Sequence, residues 1–280
     1  ILIPPCLTMV ILGALAGVSV SALFIAGFLP GFLMALALMV LIYVQARRGL
    51  VPAGEAPASW RETWATFKAA LLPLFMPVII FGGILGGVFS PTEAAAVAVL
   101  YAVVIGMFVY RKITVRKLVE IFVQTSITTG AIGLIVGAAG AFAWLLALKG
   151  VPAAVAGAVT SLSTNPVVFL VAANLIFMFF GAVLDGIPAL ILFLPILMPV
   201  SNALAIDPLH FTLLSVASLG IGLIIPPVGI MLLVICSITK TPVGAVTRVM
   251  TPYLAILGVC LLVIIAVPWF VLVLPRLTGF

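Results

Sequence analysis

The sequence predicts an all-α, polytopic membrane protein with inverted repeats, broken helices and a re-entrant hairpin. Three observations carry that expectation. The 280 residues are 66% hydrophobic and 6% charged, with a mean hydropathy of +1.52, a balance found in chains that sit in lipid. Apolar runs long enough to cross a bilayer recur along the whole length. Two apolar stretches hold adjacent prolines, "ILIPPC" at the start and "GLIIPPVGIMLLVICSITK" from Gly222 to Lys240. Such a composition excludes a soluble nucleic-acid-binding domain, and the formal net charge of +6 belongs to membrane topology instead.

Charge placement orients the runs. Arg47, Arg48, Arg61, Lys68, Arg111, Lys112, Arg116, Lys117, Lys240 and Arg248 cluster beside apolar segments, and only Lys149 and Arg276 fall elsewhere. Cytoplasmic loops carry the Lys/Arg excess, so the clusters go inside and those two outside. Residues 1–16 then run outward and 22–46 return. Residues 72–88 go out, turn at "FSPTE", and 92–110 come back. Residues 126–148 go out and 151–163 stay near the outer surface. Residues 165–204 enter and leave from outside, 209–238 cross inward with a break midway, and 251–274 finish outside.

Local signals refine the elements. "SWRETWATFKAALLPLF" (Ser59 to Phe75) alternates charge with Trp60, Trp64 and Phe67, which suits an amphipathic helix at the inner interface. "TVRKLVEIFVQ" (Thr114 to Gln124) is similar; for both, the alternative is a bent extension of the next helix. In "GGVFSPTEAAAVA", Ser90 or Thr92 caps a helix that starts at Pro91, with Glu93 in the first turn, where the helix dipole favours an acid. Thr125, Ser126, Thr128 and Thr129 read as helix-packing or back-bonding groups. Cys6, Cys236 and Cys260 show no metal-ligand spacing and read as small core residues. His210 reads as packed or interfacial, with a proton relay as the alternative.

The proline pairs belong to a repeat. Ile3, Pro4, Pro5, Met9 and Pro30 match Ile225, Pro226, Pro227, Met231 and Pro252 at a constant offset of 222. Prolines remove backbone donors and stop a helix from running straight through. In the topology above, the two copies run in opposite directions, an inverted-topology repeat of the kind found in secondary transporters. Residues 228–238 span roughly 16 Å at 1.5 Å per residue, about half of a ~30 Å hydrocarbon core. The break therefore falls near the midplane, where irregular backbone survives only against protein or a water-filled cavity. Freed carbonyls there suit a cation. A simple proline kink is the alternative.

The stretch "GAVLDGIPALILFLPILMPV" (Gly181 to Val200) reads as a re-entrant hairpin. Its tip "LDGIPA" has no Lys or Arg, and its returning arm holds Pro195 and Pro199. Asp185 suits an N-cap, with Pro188 in the first turn; direct contact with an ion or substrate is the other reading, since an acid at membrane depth is rare.

The stretches "GGVFSPTEAAAVAVLYA", "LDGIPALILFLPILMPV", "AIDPLHF" and "IGLIIPPVG" closely resemble the large membrane subunit (M subunit) of TRAP transporters, the tripartite ATP-independent periplasmic carriers. The order of motifs runs over the whole chain. The resemblance implies an elevator-type carrier of the bacterial inner membrane, with no catalytic residues and no cofactor beyond sodium as coupling ion. It implies small organic anions, dicarboxylates or sugar acids of the sialic-acid type, as substrate. It also implies two partners, a small membrane subunit (Q) and a periplasmic substrate-binding protein (P). Asp185, Gly186, Ile187 and Pro188 at the hairpin tip, with Ser218, Gly220, Gly222, Ile225, Pro226 and Pro227 at the second break, would form one sodium site, mainly through carbonyls. Pro4, Pro5 and Cys6 would belong to the other, whose first half lies in a preceding part of a longer protein. Three positions depart from the family pattern: Ser218 where Asn is frequent, Ile225 where Thr is frequent, and Cys6 where Ser is frequent. Each change weakens or removes a side-chain oxygen.

Within that frame the chain divides into three. Residues 1–46 are the end of the first inverted repeat. Residues 47–125 hold a linker, amphipathic arm helices and scaffold helices. Residues 126–280 are the second transport repeat, with the re-entrant hairpin 165–204 and the broken helix 209–238. The alternative function is a stand-alone sodium/divalent-anion symporter. A channel would also use re-entrant segments. An intramembrane enzyme would need a nucleophile, a paired carboxylate or metal ligands at depth, and one His with one deep Asp supplies none of these sets.

Overall fold

The computed structural model describes residues 1–50, 58–162, 164–184 and 186–280. Among them are helices and turns and no strand. Among the described residues, seven helices are long and apolar enough to cross a membrane. The chain forms two compact units, one of Ile1–Arg48 with Ile135–Phe280 and one of Gly49–Leu134.

The larger unit holds α1 (Leu7–Ala16), α2 (Val20–Arg47), the end of α5 (Val115–Leu148), α6 (Val151–Leu162), α7 (Pro166–Val183), α8 (Gly186–Ala203), α9 (Pro208–Gly222), α10 (Ile230–Thr239), α11 (Val243–Ala266) and α12 (Trp269–Leu277). Its core is α9, packed by α7 on one side and by α1, α2 and α11 on others. Leu213, Leu214, Val216 and Leu219 are buried on that helix, as are Phe169 and Phe177 on α7. Phe211 of α9 stacks against Phe169 at 5.9 Å and meets Phe177 at 6.4 Å.

Residue pairs fix the directions of these helices. Phe169 meets Phe211, Asn174 meets Ser218, and Gly181 meets Leu219 and Gly222. The numbers rise together, so α7 and α9 run parallel. The Tyr253 hydroxyl donates to Gln45 Oε1 at 2.6 Å, while Leu257 shares a cavity with Met34 and Leu38. There the numbers run oppositely, so α2 and α11 are antiparallel. His210 at the start of α9 reaches Ile264 near the end of α11, so those two are antiparallel as well.

The smaller unit holds α3 (Trp60–Leu85), α4 (Pro91–Val104) with a π-helical turn at Ile105–Val109, and the start of α5. The Tyr101 hydroxyl donates to the Leu72 carbonyl at 2.7 Å and closes α3 against α4. Ser59 and Glu62 form a capping box at the start of α3. Ser90 and Glu93 form another on α4, with the Ser90 N–H donating to Glu93 Oε2 at 2.7 Å. Ser126 and Thr128 donate back to the Phe122 and Gln124 carbonyls at 2.8 and 3.0 Å.

Two stretches take the alternative of a continuous extension into the next helix, and one boundary differs from the sequence reading. The amphipathic stretch from Ser59 to Phe75 and the following apolar run are one helix, α3, which continues through Pro73 and Pro77. A single proline removes one donor and bends a helix without ending it where the surrounding turns are intact. Residues 114–124 likewise lead straight into α5. The last long helix starts at Val243, not 251, and stops at Ala266, because Pro268 has no N–H with which to continue it.

Candidate functional site

The site is built around two proline breaks. At the second, α9 ends at Gly222 and α10 begins at Ile230. Pro226 and Pro227 cannot donate to the carbonyls of Gly222 and Leu223, which a helix would require of them. Both carbonyls find other donors: Ile225 N–H bonds to Gly222 O at 3.0 Å, and Met231 N–H to Leu223 O at 3.1 Å. Gly229 N–H closes the turn onto Ile225 O at 2.9 Å. A side chain at Gly229 would sit 2.6 Å from the Leu223 carbonyl, so only glycine fits there. Among the described residues, the carbonyls of Gly220, Ile224, Pro226, Pro227 and Val228 accept no hydrogen bond.

The hairpin meets this break. Gly186, the first residue of α8, is buried, and a Cβ there would lie 2.5 Å from the Leu219 side chain and 3.9 Å from that of Leu223. Gly181 and Gly222 let the backbones of α7 and α9 close up; a Cβ on Gly222 would stand 2.5 Å from the Met178 carbonyl. Ile187 and Pro188 follow in the first turn of α8, both half-buried. Asp185 lies outside the described residues, so its cap and ion-contact readings have no geometry here.

At the first break, Pro4 is buried, Pro5 exposed and Cys6 half-buried before α1 begins at Leu7. The Leu2 carbonyl presses on Gly27 of α2, and Ile3 packs on Gly31. The carbonyls of Leu2, Ile3, Pro4 and Pro5 accept no hydrogen bond among the described residues. Both proline pairs are joined by cis peptide bonds.

The two breaks approach each other. Gly220 faces the Ile1 side chain, with 3.3 Å to a Cβ built there. A cavity of about 300 Å³ is lined by Ile1, Leu2 and Ile3 from one side and by Gly220, Ile221 and Ile224 from the other. Leu257 also lines it. That residue lies about 21 Å along the roughly 36 Å of α11, at 1.5 Å per residue. Met34 and Leu38, from the middle of α2, complete the same wall. The breaks therefore sit at mid-height of the two long helices.

Ser218 is fully buried on α9 and its hydroxyl is committed. Its Oγ is within hydrogen-bonding reach of both Asn174 Oδ1 and the Leu214 carbonyl, the latter at 2.9 Å. Asn174 Nδ2 donates to Leu170 O at 2.6 Å. Ser218 thus ties α7 to α9. Asn174 escaped the sequence reading, although a lone amide inside the apolar run of α7 was the available signal. Among the described residues no three His, Cys, Asp or Glu side chains gather. A cation at either break would meet chiefly backbone oxygen, a hard donor suited to sodium-like ions.

Residues 1–270 match the model of the tripartite ATP-independent periplasmic transporter DctM component. The chain is 39% identical to the sialic acid TRAP transporter large permease of Vibrio cholerae over 277 residues, 99% of this chain and 64% of that protein. It is 38% identical to the C4-dicarboxylate TRAP transporter large permease of Pseudomonas aeruginosa, over all of this chain and 65% of that one. It is 33% identical to the 2,3-diketo-L-gulonate TRAP transporter large permease of Escherichia coli, over 95% of this chain and 63% of that one. The chain thus spans a little under two thirds of the length of these relatives.

Proposed function

Since the chain belongs to the DctM component family of the tripartite ATP-independent periplasmic transporters, we propose that the complete subunit imports small organic anions by sodium-driven secondary transport. It is a multi-pass protein of the bacterial inner membrane. Under this proposal a periplasmic binding protein (P) delivers the substrate and a small membrane subunit (Q) completes the membrane complex. The substrates named for the relatives, sialic acid, C4-dicarboxylate and 2,3-diketo-L-gulonate, are all organic acids, which supports that substrate class.

One observation carries the reading. The stretches that lead into the two proline pairs share a cavity at mid-height of antiparallel helices α2 and α11, and among the described residues the carbonyls of Leu2, Ile3, Gly220 and Ile224, which line it, and of the proline pairs themselves accept no hydrogen bond. Unpaired backbone at that depth is tolerated where it lines a cavity, and it is the means by which broken-helix carriers hold a coupling ion. The opposed directions of α2 and α11, which follow equivalent breaks, support an inverted repeat. The approach of Gly186 to the end of α9 supports a re-entrant hairpin whose tip joins the second ion site. Sodium bound at the breaks would favour one of two carrier states only by its differential affinity for them. The hairpins and broken helices would form the body that moves in an elevator cycle.

The test is uptake in proteoliposomes that hold the complete subunit with its small partner. Radiolabelled organic acids are offered with and without an inward sodium gradient and with and without the binding protein. Uptake that needs both is the expected result. Uptake indifferent to sodium overturns the ion-site reading, and sodium-driven uptake without the binding protein overturns the tripartite one.

A further inference from the structure

The N-terminal end of α9 carries a side chain that the transport reading does not use. His210 is 2% exposed, and its Nε2 lies 3.0 Å from the Ile264 carbonyl of α11. In an uninterrupted helix that carbonyl would accept from the N–H four residues on. Residue 268 is proline and has no N–H. The preceding carbonyl, Val263, still receives Val267 N–H at 2.9 Å, the last regular bond of α11. Ile264 is itself 1% exposed, so its carbonyl has no access to bulk water.

We infer that the His210 ring stands in for the amide missing at Pro268, and so fastens the N-terminal end of α9 to the end of α11. A carbonyl can only accept, which assigns the proton to Nε2. The ring is held in place on its own helix as well. Asp207 caps α9, accepting Leu209 N–H at 2.9 Å, and the adjacent Phe211 is locked between Phe169 and Phe177. Pro268, His210 and Asp207 line one cavity. His210 is thus a positioning residue. It anchors α9 at the end away from Pro226–Pro227. The inference rests on α9 and α11 alone and does not depend on which ion or substrate is carried.

A cycle of substitutions in the complete subunit with its small partner tests it. His210→Leu is expected to lower the thermal unfolding midpoint by about 5 °C, from one buried carbonyl left unpaired. His210→Gln, which keeps a donor near the Nε2 position, should recover most of that loss. In a Pro268→Ala background the amide returns to α11, and His210→Leu should then lower the midpoint by less than half as much. Equal losses in both backgrounds would overturn the inference. Protein labelled with ¹⁵N-histidine gives a second test that needs no destabilised variant, with His210→Gln used only to identify the signal. A neutral ring protonated at Nε2 is expected, and a neutral ring protonated at Nδ1 overturns the assignment.

Discussion

The first and second proline breaks share a sequence pattern and a helix plan, but they close differently. Each is followed by a ten-residue helix, then by a short turn and a long helix with an internal proline. After Pro4–Pro5 the chain passes through Cys6 and Leu7 into α1, and its grip comes from outside, from Gly27 and Gly31 of α2. After Pro226–Pro227 the chain folds back on itself, with Met231 N–H on Leu223 O and Gly229 against Ile225. The positions equivalent to each other by the offset of 222 are Leu7 and Gly229. A proline pair fixes where a helix is interrupted. The residue two places later decides whether the chain can turn back tightly or must be braced by a neighbour.

The largest expected effects come from substitutions that push backbone against backbone. Gly222→Ala brings a Cβ to 2.5 Å from the Met178 carbonyl, and Gly27→Ala drives one into the Leu2 carbonyl. Each should cost about 3 kcal/mol of stability in thermal unfolding of the complete subunit. Gly31→Ala meets side chains and no backbone, Ile3 at 3.0 Å and Leu2 at 3.8 Å, and serves as the mild control. If Gly31→Ala proves as damaging as Gly27→Ala, the external brace on the first break is misassigned.

Gly229→Ala against Leu7→Ala tests the difference in closure directly. The first should cost about 2 kcal/mol by forcing apart Leu223 and Ile225. The second should stay within about 0.5 kcal/mol, since Leu7 is largely exposed. Equal effects would mean that both breaks close the same way.

Ser218→Ala asks whether the seryl oxygen is structural. With Asn174 Oδ1 left unpaired and buried, a loss of about 1–2 kcal/mol is expected. Adding Asn174→Leu should recover part of it, a coupling read from the double-mutant cycle. The smallest effect concerns the helix ends. Gly17 and Lys240 both end their helices in the left-handed region, at φ 65° and 53°. Lys240→Gly should stabilise by up to about 1 kcal/mol, and Gly17→Ala should destabilise by a similar amount.

Much of this was legible in the sequence because prolines, glycines and charges act locally. Pro226–Pro227 stops a helix whatever surrounds it, and Ser90 with Glu93 caps α4 from a pattern four residues long. What the sequence did not disclose depends on partners far along the chain. Ser218 reads as a candidate ligand from the sequence, and its pairing with Asn174, 44 residues away, depends on the packing of α7 on α9. His210 and Pro268 each looked ordinary alone, and only the crossing of α9 with α11 joins them. The continuity of α3 through two prolines was likewise open, because a proline's effect in lipid depends on how the neighbouring turns are satisfied.

The most direct measurement is equilibrium binding of ²²Na⁺ to the complete subunit with its small partner, with and without the double change Pro226→Ala and Pro227→Ala. If the carbonyls freed at the second break hold the coupling ion, binding is saturable in the unaltered protein and weakens at least about tenfold when the break is healed. Binding of unchanged affinity and stoichiometry in the altered protein would contradict the assignment of that break as an ion site.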